Sequence, residues 1–197
     1  MNHSTTQLLD QSTNCERSEL SSMGVRKIIT YPDTVLRERA EPVTNIDGSV
    51  QQLIDDMIDT MYHAPGIGLA SNQIGEPQRI IIFDVSAKDE PNDLIVLINP
   101  EIIEADGRIV NEEACLSVID YSAEVERAKS VTVRGVDREG NPVTLKKEGL
   151  GAIVLQHEID HLNGTLFIDH ISKLKRELYK IKLKKLLKRR ESSARRL

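Results

Sequence analysis

The segment GLGAIVLQHEIDHLN at residues 149–163 constrains the fold of this chain more than any other. It starts with an apolar run and then places His157, Glu158 and His161 within five residues. Residues four apart share one face of a helix, so the two imidazoles point the same way. The apolar run predicts a largely buried central helix. Two histidines and a glutamate without partners would be costly in such a helix, and a bound cation would satisfy them.

The segments around this helix predict an α+β fold. Residues 49–63 predict an amphipathic helix with Ser49 as its N-cap, because apolar residues recur three or four positions apart. Aliphatic and β-branched runs bounded by turn residues predict strands at 79–85, 94–98, 108–110, 124–136 and 143–145. Strands and helices do not alternate along the chain, which favours antiparallel or mixed β-sheets packed around the central helix.

Several shorter features complete the prediction. Residues 25–29 predict a short strand or turn, and residues 166–168 predict an edge strand. Gly164 is expected to end the central helix in the left-handed conformation. The Lys- and Leu-rich residues 172–190 predict a basic C-terminal helix.

The charge of the chain is distributed unevenly. Of the 26 Lys and Arg residues 12 follow residue 170, whereas only two of the 31 Asp and Glu residues do. We divide the chain into a polar leader at residues 1–24, expected to be disordered, one domain at 25–172, and a basic helix and tail at 173–197. A basic tail on an acidic body favours a polyanionic partner.

The cysteine content and the hydropathy of the chain indicate its cellular compartment. The chain has two cysteines, Cys15 and Cys115, which argues against a disulfide framework and fits a reducing compartment. No apolar run approaches the length of a membrane span, and the N-terminus does not resemble a secretory signal. We predict a cytoplasmic protein of bacterial type that does not bind membranes. The sequence does not exclude location in an organelle.

The sequence HEIDH at residues 157–161 matches the H-E-x-x-H pattern of helical metal sites. Two imidazoles on one face bind one ion, and Glu158 is near enough to take the proton of a metal-bound water. A catalytic site also needs a third protein ligand and an open position for water. The candidates for that ligand are Cys115, His170, His63 and the carboxylates. The simpler alternative is a helix whose histidines only pack or face solvent.

Three blocks in series resemble the peptide deformylase family. They are GIGLASNQ at residues 66–73, EACLS at 113–117 and HEIDH at 157–161. Weaker matches flank them, among them ITYPDTVLRERAEPV near the start, INPEI at 98–102 and HLNGTLFIDHIS at 161–172. The resemblance covers about residues 25–172, and three blocks in this order are far more specific than HEIDH alone.

The resemblance implies a deformylase catalytic domain over residues 25–172 that holds one divalent ion. Its ligands would be Cys115, His157 and His161. In this family the ion is typically Fe²⁺, and Zn²⁺ or Ni²⁺ also occupy the site.

The resemblance also assigns the catalytic groups. Glu158 would be the general base and acid. The side-chain amide of Gln73 and the backbone N–H of Leu116 would stabilise the developing oxyanion. The residues that would line or support the substrate site are Gly68, Ile67, Glu113, Leu150, Ile153 and Val154.

The implied reaction is hydrolysis of the N-formyl group from the N-terminal methionine of newly made proteins, which releases formate. The substrates would be N-formylmethionyl nascent peptides. Because the C-terminal helices of some deformylases dock on the ribosome, the basic helix is expected to contact the ribosome and its RNA.

Three positions depart from the common family pattern. Ala114 stands where Gly is usual, Ile119 where Pro is common, and Ser71 where Ala is frequent. If position 114 required a positive φ, Ala would be strained there. None of the three changes removes a ligand or a proton carrier.

Two other functions compete with this interpretation. A zinc endopeptidase uses the same helical motif, but the upstream cysteine block and Gln73 disfavour it. A catalytically silent ribosome-binding homologue would keep the fold, but the intact residues Cys115, His157, Glu158 and His161 argue against it.

Overall fold

The computed structural model describes residues 24–87 and 93–194. The prediction of a disordered leader at residues 1–24 therefore lies almost wholly outside the described residues. In the described part, three α-helices and seven strands form the fold. The helices are α1 (Gly48–His63), α2 (Leu150–Leu162) and α3 (Lys173–Ala194). The strands are β1 (Gly68–Ala70), β2 (Ile80–Phe83), β3 (Ile95–Asp106), β4 (Ile109–Cys115), β5 (Val118–Arg127), β6 (Ser130–Val136) and β7 (Pro142–Glu148).

The strands form two antiparallel sheets. One has five strands in the order β1-β2-β3-β6-β7, and the other consists of β4 and β5. Every strand pair is antiparallel. The predicted α+β class with antiparallel sheets around a central helix is confirmed.

Strand β2 is buried on both faces and separates the two main layers of the core. Ile81 and Phe83 pack in the cluster that contains the apolar residues of α2, whereas Ile80 and Ile82 pack in the cluster of α1. Successive residues of a strand point to opposite faces, so a continuous aliphatic run suits a strand covered on both sides. Each such fully buried side chain contributes about 1.5–3 kcal/mol relative to an exposed one.

Helix α2 is central, as predicted. Ala152, Leu155 and Leu162 are fully buried against the five-stranded sheet. The chain leaves the helix through Gly164, whose φ of 73° is in the left-handed region. A Cβ at Gly164 would also overlap the carbonyl oxygen of Arg37, so both conformation and space require glycine there.

Helix α1 starts one residue earlier than the apolar pattern indicates, and the predicted N-cap is wrong. The cap is Asp47, whose Oδ1 accepts hydrogen bonds from the backbone N–H groups of Ser49 (2.9 Å) and Val50 (3.3 Å). A carboxylate also interacts favourably with the positive end of the helix dipole.

Three other predicted elements differ from the structure. Residues 166–168 form no strand; a 3-10 helix at Phe167–Asp169 stands there, because the Asp169 carboxylate accepts the Leu166 N–H at 2.9 Å. The predicted strand at 124–136 is split between β5 and β6, which belong to different sheets. Residues 25–29 are irregular.

Helix α3 packs against the body along one side. Tyr179 and Leu183 are buried in a third cluster with Phe167, whereas Leu174, Leu178 and Ile181 are exposed. Within the described residues no helix has the length and apolar character needed to cross a membrane.

Candidate metal centre and active site

Three side chains from distant parts of the chain converge at one point. Cys115, His157 and His161 each offer one ligand atom, and these atoms all lie within 4.8 Å of one another. The Cys115 Sγ is 3.1 Å from His161 Nε2. Helix α2 carries both histidines on one face, and β4 ends at the cysteine, where the pairing register with β5 shifts between Ala114 and Cys115. Among the third-ligand candidates that the motif alone left open, the structure places Cys115 beside the imidazoles.

The other two histidine candidates lie elsewhere. His170 Nε2 is 2.7 Å from Asp160 Oδ2, and His63 is the last residue of α1. Neither belongs to the group around Cys115.

The residues present fit a divalent transition-metal ion. One thiolate and two imidazoles form a donor set that suits iron or zinc. Burial lowers the pKa of His161 well below its ordinary value, so its ring is neutral and has a lone pair to donate. Burial opposes protonation of His157 too, but hydrogen bonds to Cys115 and Glu113 raise its pKa well above the ordinary value. The space between the Cys115 sulfur and the His157 ring therefore favours a positive charge, and a bound cation would supply that charge.

A buried ion-pair network lies behind His157. Its Nδ1 is 2.8 Å from Glu113 Oε2, so the Nε2 atom is left to face the centre. Arg127 donates to both oxygens of Glu113 and, from NH1, to Asp160 Oδ2 at 2.5 Å. Burial alone would raise the pKa of Glu113, but the hydrogen bonds from His157 and Arg127 lower it to about 2. The carboxylate therefore stays charged and fixes the orientation of the ring.

Glu158 is buried next to the centre and has an unused oxygen. Its Oε2 has no hydrogen-bond partner among the described residues, and burial raises its pKa to about 7. A Cβ at Gly68 would lie 2.5 Å from Glu158 Oε1. Glycine at position 68 leaves the space that the Glu158 carboxylate occupies. Conformation is not the reason, because the φ of Gly68 is not in the left-handed region.

Gln73 is held at both ends of its amide. Its Oε1 accepts the Ala70 N–H at 2.8 Å, and its Nε2 donates to Ser117 Oγ at 3.0 Å. The same Nε2 lies 3.6 Å from Cys115 Sγ, so the amide nitrogen faces the centre.

An open cavity of about 370 Å³ leads to these groups. Its lining includes all six residues predicted to line or support the substrate site, together with Gln73 and Leu116. The six are Ile67, Gly68, Glu113, Leu150, Ile153 and Val154. Ile67 and Leu150 are about half exposed at its mouth, at 47% and 48%.

The departures from the family pattern leave this geometry intact. Ala114 does not adopt a positive φ, so its methyl group causes no backbone strain. Ser71 donates its hydroxyl to the carbonyl oxygen of Gln78. The carbonyl oxygen of Ile119 accepts a 3.4 Å hydrogen bond from Tyr179, which connects the start of β5 to α3.

Sequence reasoning missed the supporting residues Arg127, Asp160, Ser117 and Asn72. Arg127 stands in an alternating polar stretch that resembles an exposed strand, although only 5% of its side chain is accessible. Asn72, Ser117 and Asp160 each lie inside one of the three motifs, and that position was the signal that could have identified them.

Comparisons with known proteins agree with this geometry. The profile of the polypeptide deformylase family matches residues 25–177. The chain is 55% identical to the peptide deformylase of Desulfosudis oleivorans over 84% of its own length and 96% of the relative's. It is 54% identical to that of Mesorhizobium japonicum over 84% and 95%.

Solved structures give the same result. The crystal structure of a peptide deformylase from Legionella pneumophila superimposes with a TM-score of 0.79 at 46% identity, covering 85% of this chain and 98% of the other. The peptide deformylase of Ehrlichia chaffeensis in complex with actinonin gives a TM-score of 0.78 at 38% identity, with 83% and 98% covered.

Proposed function

Because the chain belongs to the polypeptide deformylase family, we propose that Glu158 moves the protons in hydrolysis of a formyl amide, beside a divalent ion held by Cys115, His157 and His161. The protein is a metal-dependent hydrolase that removes the N-formyl group from nascent peptides. The observation that carries the assignment of roles is the convergence of three ligand atoms within 4.8 Å next to a buried carboxyl group with an unused oxygen.

Each catalytic group has a defined task. When bound, the divalent ion would lower the pKa of water toward neutrality and polarise the formyl oxygen. Glu158 takes the proton released by the attacking water and passes it to the departing amide nitrogen. The Gln73 amide and the Leu116 backbone N–H oppose negative charge on the formyl oxygen, and loss of one such donor typically lowers turnover by roughly 10²–10³.

The cavity supports recognition of methionine. Ile67, Leu150, Ile153 and Val154 provide apolar walls that suit an unbranched thioether side chain. The open end of the cavity leaves room for the rest of a nascent chain. Formate and a free N-terminal methionine are the expected products.

We infer that the ion in the cell is Fe²⁺, and that Zn²⁺ or Ni²⁺ would occupy the same ligands. A thiolate with two imidazoles accommodates all three ions. A cysteine beside ferrous iron is also vulnerable to oxidation, so the native metal is expected to be lost in air. We further infer that the protein acts in a bacterial-type cytoplasm.

The basic helix α3 supports a contact with the ribosome. Its Lys and Arg side chains are mostly exposed, whereas Tyr179 and Leu183 anchor it on the body. RNA phosphates are the polyanion that a translating ribosome would present to such a helix. Because the anchors are buried, removal of the whole helix would also disturb the fold, and charge substitutions are the sharper test.

The deciding experiment is anaerobic purification of the full chain, followed by metal analysis and formate-release kinetics on the same sample. We expect about one ion per chain and rapid release of formate from a formyl-methionyl peptide. Cleavage of a long unformylated peptide would identify an endopeptidase instead. A loaded protein that releases no formate would indicate a silent homologue.

A further inference from the structure

Two complementary polar atoms beside the metal centre lack partners. Among the described residues, the buried side-chain atoms without a hydrogen bond are Glu158 Oε2, His161 Nδ1 and Asn72 Oδ1. Glu158 Oε2 belongs to the proton carrier assigned above. The other two belong to residues that already contact each other, because Asn72 Nδ2 donates to the backbone carbonyl oxygen of His161 at 2.5 Å.

The orientation of the His161 ring determines the chemistry of its unpaired nitrogen. Its Nε2 lies 3.1 Å from Cys115 Sγ, so Nε2 is the atom that faces the centre. A neutral imidazole that donates the Nε2 lone pair carries its proton on Nδ1. In that state Nδ1–H is a buried donor. Asn72 Oδ1 is a buried acceptor, and Asn72 itself is fully buried.

The second imidazole shows what such a ring requires. His157 Nδ1 is 2.8 Å from Glu113 Oε2, so that ring has its outer partner. Metal-binding histidines almost always donate the distal ring N–H to such an acceptor, which fixes the tautomer and the ring orientation. Glu113 does not serve His161, since His161 Nδ1 is without a partner. The Asn72 amide is already hydrogen-bonded to His161 and has an unpaired acceptor oxygen.

We propose that Asn72 is the positioning residue of His161: its Nδ2 holds the backbone carbonyl, and its Oδ1 accepts the Nδ1 proton when the ring binds the ion through Nε2. Neither atom has a hydrogen-bond partner in the structure, so the proposal requires a side-chain torsion of Asn72 or His161 to change when the ion binds. Asn72 precedes Gln73 in the 3-10 turn Ser71–Ile74. This one turn therefore orients both a metal ligand and an oxyanion donor. The proposal rests on the metal site of the proposed function.

Metal release from the full-length chain tests this role without any substrate. The protein is loaded anaerobically with Co²⁺, and the loss of the cobalt–thiolate absorption is followed after addition of a chelator. Asn72→Leu removes both the Nδ2 donor and the Oδ1 acceptor, whereas Asn72→Asp removes the donor and keeps the Oδ1 acceptor. The matched control is Ser71→Ala, a buried neighbour in the same turn whose hydroxyl bonds to Gln78 and not to His161.

We expect Asn72→Leu to release Co²⁺ roughly 10–100-fold faster than the parent, the usual effect of losing an outer partner. Asn72→Asp should release it clearly more slowly than Asn72→Leu, and Ser71→Ala should match the parent. The proposal is overturned if Asn72→Leu matches Ser71→Ala, or if the aspartate and leucine variants behave alike.

A second measurement applies even if Asn72→Leu does not fold. In the Zn²⁺-loaded parent, ¹⁵N-edited NMR should show two exchange-protected imidazole N–H protons. Asn72→Asp should shift one of them, and Glu113→Gln should shift the other. A signal pattern that Asn72→Asp leaves unchanged would contradict the proposal. Because neither readout uses turnover, a parent that binds metal but releases no formate would refute the proposed function and leave this test intact.

Discussion

The guanidinium group of Arg127 forms a two-bond ion pair with the carboxylate of Glu113 behind the metal centre. The Nε–Oε1 distance is 2.7 Å and the NH2–Oε2 distance is 3.1 Å. Both side chains are almost inaccessible, at 5% and 3% exposure. Since Glu113 also holds His157, this pair connects the end of β5 to a ligand on α2. The orientation of a metal ligand thus depends on a residue outside every sequence motif.

Replacement of Arg127 by Met should destabilise the protein strongly. It would leave the buried Glu113 carboxylate without its guanidinium partner and would remove one of the two partners of Asp160, and loss of one partner of a buried ion pair costs roughly 3–5 kcal/mol. Urea unfolding of the metal-free protein measures the change. The matched control is Arg134→Met, because Arg134 forms an ion pair with Glu101 in which both side chains are about 60% exposed. An exposed pair of this kind is worth about 0–1 kcal/mol. Equal losses in the two variants would contradict the assigned role of Arg127.

Replacement of Glu158 by Ala should abolish turnover and preserve metal binding. Glu158 is not among the three grouped ligands, and proton transfer by a positioned side chain contributes roughly 10²–10⁴ in rate. Formate release and metal content are measured on the same preparation. Glu112→Gln is the control, because Glu112 lines the cavity as an exposed side chain. A Glu158→Ala protein with full metal and normal turnover would show that another group carries the proton.

Replacement of Gly68 by Ala should impair catalysis with little loss of metal. The added methyl group would lie 2.5 Å from Glu158 Oε1 and 3.0 Å from Val154 Cγ1, so the carboxylate must move. Displacement of a catalytic group by about 1 Å can lower the rate roughly 100-fold. Steady-state kinetics of formate release measure this effect. Gly48→Ala is the control, since a Cβ there meets nothing within 4 Å. Unchanged kinetics in Gly68→Ala would mean that the site tolerates the shift.

Removal of positive charge from α3 should weaken ribosome association. The triple variant K184Q, K185Q, K188Q changes exposed residues and keeps the buried anchors Tyr179 and Leu183. Each lost phosphate contact should reduce the slope of log K against log salt by about 0.7–0.9. Co-sedimentation with ribosomes over a salt series gives this slope. The control K27Q, K129Q, K146Q removes the same charge from exposed positions on the body. Identical salt dependence in both triple variants would exclude α3 as the contact.

The sequence alone predicted the elements with strong local patterns. The apolar run before HEIDH predicted α2, and the spacing of His157 and His161 placed both rings on one face. Runs such as IIIF at β2 predicted buried strands. These patterns succeed because helix and strand periodicity are read within a few residues.

Short elements and helix ends were less predictable. Ser49 was predicted to cap α1, but the Asp47 carboxylate is the cap, and residues 166–168 form no strand. In both cases a carboxylate accepts hydrogen bonds from backbone N–H groups at the start of the element. That choice depends on where the chain enters and leaves the element, which hydrophobic periodicity does not encode.

The sequence by itself determined the class of fold, the central helix and a two-histidine site that needed a further ligand. Only the tertiary structure brought Cys115 to 3.1 Å from His161, buried Arg127 beside Glu113, and set Asn72 against the carbonyl of His161. The physical reason is the separation along the chain of the residues that make these contacts. Periodicity acts over neighbouring residues, whereas these contacts join atoms 14 to 89 positions apart in the chain and exist only after the sheets and α2 have packed together.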